Sequence, residues 1–256
     1  MVHADETGTA VGTTKHWVHT LTTNLLTLVA VHPKRGREAM ADIGVLAGYT
    51  GTIVHDGCAS YDIFTAASHA QCGAHLLRHI AGVGQAEAFA TWASHMTAVP
   101  MEAKVASEAA AGAGLPRVEP GTAGELRSKY FASVDSVFEL LPPGPMPRRR
   151  HSGGWSDAER KAWNLATRMR DDAGQVLRFL DDTRAPFTNN RAEKSLRMVK
   201  LHDKVPGPFH CLSAAESFAD CRSYLQTAAN HGESLLGVLR QLFTTGPWLP
   251  AEVAPG

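Results

Sequence analysis

The sequence predicts a mixed α/β fold interrupted by an all-helical insertion. Three observations support this. Residues 1–32 hold short, partly alternating apolar stretches separated by glycine and threonine, as strands and turns do. Two more short apolar stretches, near 52–55 and 70–72, alternate with helix-period segments, the order expected of parallel strands. From Gly84 to about Asp182 the chain becomes alanine-rich and helical in period. The 256 residues suffice for a full core, as one domain with an insertion or two small ones.

Each element follows from local composition. Residues 2–7 read as a strand stopped at Gly8, 17–21 as a second and 25–31 as a third, together a meander. Pro33 to Gly36 make a turn, and 38–47 a helix with Met40 and Ile43 inward. Residues 52–55 are a strand delivering Asp56, broken by Gly57; 61–67 are a short helix or turn; 70–72 are a fifth strand. The order β-β-β-α-β-α-β is that of a ribonuclease H-like mixed sheet. In the insertion, 86–99 is a helix broken at Pro100, and 102–111 and 125–140 are two more. Pro142 to Arg150 form a stiff basic linker, and 156–180 one long helix with Ser156 and Glu159 as a capping box. Helices at 189–204, 214–230 and 233–243 close the chain. The catalytic-type domain is thus expected over 1–83 and 184–246, the insertion over 84–183, and a loose tail over 247–256.

Composition excludes several classes. Hydrophobic residues make up 44% and charged residues 20%, as in soluble globular proteins. No apolar run approaches the ~18 residues that cross a membrane, and no secretory signal opens the chain. A cytoplasmic protein is expected. Lys+Arg and Asp+Glu balance at 25 each, so a nucleic-acid reading must rest on local charge. Cys58, Cys72, Cys211 and Cys221 form no C-x-x-C pair. Cys72 and His75 have metal-ligand spacing but no second pair follows, so a zinc site is not expected.

Three carboxylates stand where the fold could gather them. Asp5 lies near the end of the first strand, Asp56 ends the fourth, and Glu193 lies in the first turn of the 189–204 helix. In a ribonuclease H-like sheet those two strands are neighbours. Three hard oxygen ligands suit Mg²⁺ or Mn²⁺, two ions in all. Taken alone, the 189–204 stretch reads as a capped helix with a solvated charged face. Beside the two aspartates, Glu193 becomes a third ligand. Arg191, Lys194, Arg197, Lys200 and Lys204 then offer phosphate contacts. His75 and Arg78 could touch a phosphate, orient a carboxylate, or simply form a polar junction. Glu6 is expected on the opposite face of its strand from Asp5, in a structural role. Asn189 and Asn190 suit a helix cap, and Trp92, Trp155 and Trp163 suit packing.

Several segments together resemble the insertion-sequence 66 family of bacterial transposases, in their DDE catalytic domain. They are His3-Ala4-Asp5-Glu6-Thr7-Gly8, Arg35-Gly36, His55-Asp56-Gly57 with Tyr61, the run Cys72 to Arg78, the run Thr188 to Arg197, and Lys204, Gly207 and Phe209. The resemblance implies Asp5, Asp56 and Glu193 as a catalytic triad. It implies metal-dependent cleavage and strand transfer at transposon ends, with DNA (ends and target) as partner, a homo-oligomer on DNA, and association with the nucleoid. The family's N-terminal recognition regions and zinc-binding segment have no counterpart in this sequence, so an N-terminally shortened chain is expected. A ribonuclease H-like nuclease without strand transfer, and an inactive or DNA-binding-only remnant, are the alternatives.

Overall fold

The computed structural model describes residues 1–147 and 154–251. In chain order these form β1 (Val2–Val11), β2 (Thr14–Thr22), β3 (Thr27–His32), α1 (Arg37–Ile43), β4 (Thr52–His55), a 3₁₀ turn (Ala59–Ile63) and β5 (Ser68–Gln71). Then come α2 (Gly73–Val83), α3 (Glu87–Gly112), α4 (Pro120–Ser136), a second 3₁₀ turn (Val137–Leu140), α5 (Asp157–Asp171), α6 (Ala173–Val176) and α7 (Arg178–Asp181). The chain closes with α8 (Asn190–Lys204), α9 (Leu212–Asn230) and α10 (Leu235–Thr244). The protein is mixed α/β, with the expected strand order, a 3₁₀ turn standing in for the second helix. Two compact units divide it: Met1–Ala67 with the chain from Asn189 onward, and Ser68–Thr188. The run Arg148 to Arg150 lies outside the described residues.

In the first unit the strands lie in the order β3-β2-β1-β4. β1 is antiparallel to β2 from His3↔Thr22 to Val11↔Thr14, and parallel to β4 through Val2↔Ile53 and His3↔Val54. Alternation gives β1 two faces. Val2 and Ala4 join Leu21, Met40, Leu46, Ile53 and Tyr61 in a core under α1 and the first 3₁₀ turn. On the other face Val18 and Val29 pack against Leu196, Val199 and Ala219, from α8 and α9. Strand β3 has free edge amides, and α9 answers them: Val29 N–H donates to Ser223 Oγ (2.8 Å) and Thr27 N–H to Thr227 Oγ1 (3.1 Å). β1 does not stop at Gly8, which pairs with Trp17. The space a side chain would fill there is taken by Lys15, whose ammonium lies over the Trp17 ring. The hairpin turns at Gly12, in the left-handed region at φ 58°.

The second unit differs from expectation in two places. α3 runs unbroken through Pro100. Proline removes one helix bond, but Met96, Val99, Pro100 and Ala103 are all buried, and that packing keeps the helix continuous. Conversely, 156–180 is not one helix. The capping box forms between Ser156 and Glu159, but the helix ends at Asp171 and two short helices follow. The bends serve β5: Gln71 Nε2 donates to Asp172 Oδ2 (2.9 Å) and Arg178 Nε to the His69 carbonyl (3.2 Å). The tryptophans pack as expected. Trp92 is buried and donates to the Ser133 carbonyl, and Trp155 meets Trp163 edge to face.

Candidate active site

Asp5 and Asp56 are brought level by the β1–β4 pairing. Two residues beyond the His3↔Val54 register, Asp5 comes opposite Asp56, the first residue after β4. Gly57, at φ 88°, then turns the chain sharply, and Asp56 Oδ1 accepts from the Cys58 N–H (2.8 Å). His55 is buried, and its Nδ1 accepts from the Gly57 N–H (3.1 Å), bracing the same turn.

Asp5 is only 8% exposed. Burial, above all, pushes its carboxyl up to about 7; the Glu6 and Asp56 charges push the same way. The Glu6 N–H, bonded to Asp5 Oδ1 at 2.9 Å, and the Lys200 charge oppose the rise.

Glu6 belongs to this network, although sequence reasoning gave it only a structural part. Its carboxylate is fully enclosed: Arg35 Nε donates to Oε1 and the Tyr61 hydroxyl to Oε2, both at 2.9 Å. Burial and Asp56 still raise its pKa. Burial also lifts the Tyr61 hydroxyl well above its ordinary value, so it stays a donor. Arg35 lies over the Trp17 ring and reaches Asp56 Oδ2 at 3.9 Å, bridging the two carboxylates. Arg35 and Tyr61 stood in recognised segments, but nothing local in the sequence marks them as partners of Glu6.

Glu193 is half-buried in the first turn of α8. Asn189 was expected to cap this helix, but its side chain makes no cap bond. It is fully buried and reaches across to β1: Nδ2 donates to the Ala4 carbonyl (2.7 Å), and Oδ1 accepts from His3 Nδ1 (3.0 Å). At the other end of α8, the Thr9 hydroxyl donates to Asp203 Oδ1 (2.7 Å). The helix therefore lies along β1, on the face that carries His3, Asp5 and Thr9. With ~1.5 Å per helical and ~3.3 Å per strand residue, the two tethered stretches match in length, at ~20 Å. Glu193, ~6 Å along, falls level with Asp5 and within ~40° of Asn189 around the axis. Among the described residues the oxygens of Asp5, Asp56 and Glu193 do not all lie within 4.8 Å of one another.

The basic residues of α8 divide. Lys194, Arg197, Lys200 and Lys204 are exposed, whereas Arg191 is half-buried and donates to the Thr23 carbonyl (3.2 Å). In the second unit His75 is half-buried and Arg78 exposed, both on α2.

The family model described as Transposase IS66 family matches residues 1–217. The chain belongs to this transposase family. No curated protein and no solved structure matches it. Membership in the IS66 family implies DNA as partner and a divalent metal as cofactor. The residues fit such an ion. Asp5, Glu6 and Asp56 repel one another, and burial holds Asp5 against ionising. Glu6 is already satisfied by Arg35 and Tyr61, which leaves Asp5 and Asp56 as the hard oxygen donors that a divalent cation would favour. No helix among the described residues is long and apolar enough to cross a membrane.

Proposed function

We propose that the first unit is the catalytic centre of a metal-dependent DNA transposase that cleaves strands and transfers them. Asp5 and Asp56 hold the metal, with Glu193 as the third ligand. The observation that supports this reading is the double tether of α8, which carries Glu193 in its first turn, along the Asp5 face of β1. A bound Mg²⁺ or Mn²⁺ pair supplies activation of a water or 3′-hydroxyl and charge relief at the leaving oxygen. The chain's own residues do the positioning. Arg35 and Tyr61 fix Glu6, and Arg35 in turn restrains Asp56. The Cys58 N–H holds the Asp56 carboxylate from its other oxygen. Lys194, Arg197, Lys200 and Lys204 face solvent on the same helix as Glu193 and take phosphates of the DNA; His75 and Arg78 add contacts from α2.

The purified protein, given family-type transposon-end DNA and Mg²⁺ or Mn²⁺, is expected to nick it. Asp56→Asn and Glu193→Gln should each lower the rate by about a hundredfold or more. Joining of pre-cut ends to a target separates transposition from simple nuclease action. Cleavage that survives Asp56→Asn would refute the assignment.

A further inference from the structure

The second unit carries a groove of its own, between α2 and α5, with a volume of about 400 Å³. Arg78 and His79 line it from α2, and Lys161, Asn164 and Arg168 from α5. Val83 and Leu165, both buried, form an apolar floor. Three permanent cations meet there, and none of the lining residues is acidic. α2 carries no acid anywhere along its length. On α5 the groove residues recur at i, i+3 and i+7, one stripe of the helix. Asp157 and Asp171, the acids on that stripe, stand a turn outside it at either end.

One of these donors is tied to its neighbour across the groove. The Arg168 guanidinium donates to His79 Nδ1 at 2.7 Å. Because arginine can only donate, that nitrogen carries no proton, and the neutral ring keeps its N–H at Nε2. Gly82 opens the wall: a Cβ built there meets nothing within 4 Å.

We propose that this groove binds the phosphate backbone of duplex DNA. The inference rests on the transposase reading for its ligand. Its chemistry favours a backbone over a free nucleotide. The lining holds no Phe, Tyr or Trp, the large rings on which bases stack, and the one smaller ring, His79, is engaged by Arg168. The stripe on α5 is ~10 Å long, more than a single phosphate spans. Binding through such donors is insensitive to sequence and steep in salt.

The test is fluorescence anisotropy of the whole protein with a labelled duplex at several salt concentrations. Gly82→Glu puts a carboxylate into the groove where there is room for one, and Lys161→Glu reverses one cation. Each is expected to weaken binding by about tenfold or more and to reduce the log–log salt slope by about one or two. Gly82→Ala, which adds no charge, should bind as wild type, and thermal melts should show all three variants folded. Cleavage absent from the wild type with binding intact and groove-dependent would sink the catalytic reading and leave this one standing. Unchanged affinity and salt slope in both Gly82→Glu and Lys161→Glu would overturn the proposal. So would groove-dependent binding of inorganic phosphate or a mononucleotide with duplex binding unaffected.

Discussion

Asp5 is a carboxyl group that folding makes reluctant to ionise. Its pKa rises from the ordinary 3.8 to about 7, so the folded chain holds this proton more tightly than the unfolded one. The sign follows from linkage. Below pH ~4 both states are protonated and Asp5 costs nothing. As pH climbs from about 4 through about 7 the folded state must ionise a buried acid, and stability falls. Asp5→Asn removes that cost. Thermal melts should show the variant more stable than wild type by ~1–3 kcal/mol at pH 8, with the gap closing by pH 4.5. A gap that does not change with pH would show that burial of this acid is not costly. A group retained at such a cost is usual at functional sites. The sequence displayed Asp5 plainly, and Asp56 by its position at a strand end. Glu6 was legible only as a neighbour, because what makes it part of the site is Arg35 and Tyr61, which lie far along the chain.

At the scale of elements, α8 is placed by its ends. Asn189→Ala would leave the His3 ring nitrogen and the Ala4 carbonyl buried without their partner, an expected loss of ~2–3 kcal/mol. Urea unfolding should show a lower midpoint at unchanged slope. Asn189→Asp should be as bad, since a carboxylate accepts from His3 but cannot donate to a carbonyl. In the second unit α2 starts with equally little room. A Cβ on Gly73 would lie 2.2 Å from the Phe187 ring, and the Gly73 N–H donates to the Phe187 carbonyl at 2.7 Å. Gly73→Ala is therefore expected to cost ~1–3 kcal/mol, read as a lower Tm, with Gly73→Ala/Phe187→Leu recovering part of it. Periodicity made most of these elements legible, including β4, α9 and the capping box of α5. It failed where tertiary packing overrode local preference. Pro100 stays inside α3 because its surroundings are buried, and 156–180 bends where β5 exchanges hydrogen bonds with the break. Asn189 shows the same limit, since its residue type suits a cap and only the folded sheet reveals the other use.

For the whole molecule, the mutual repulsion of Asp5, Glu6 and Asp56 makes stability depend on ions. Mn²⁺ or Mg²⁺ binding the folded state alone should raise Tm, with a gain of ~2.7 kcal/mol at a hundred times Kd. The same addition should leave Asp56→Asn nearly unmoved; an equal rise in both would place the ion elsewhere. A boundary divides the strand-bearing unit from the helical one. It falls at Ala67 and Asn189, so β5 and α2 group with the helices. The tether between His3 and Asn189 joins residues 186 apart, and that separation has a meaning for synthesis. At ~5–20 residues per second, β1 leaves the ribosome roughly ten to forty seconds before the helix that covers it has been made. During that interval Val18 and Val29 face water, and the edge of β3 lacks the hydroxyls of α9. The helical unit, by contrast, is contiguous in the chain and can close first. A nascent chain stalled before α8 would expose a bare sheet face, so the residues from Asn189 onward decide whether the first strands stay soluble.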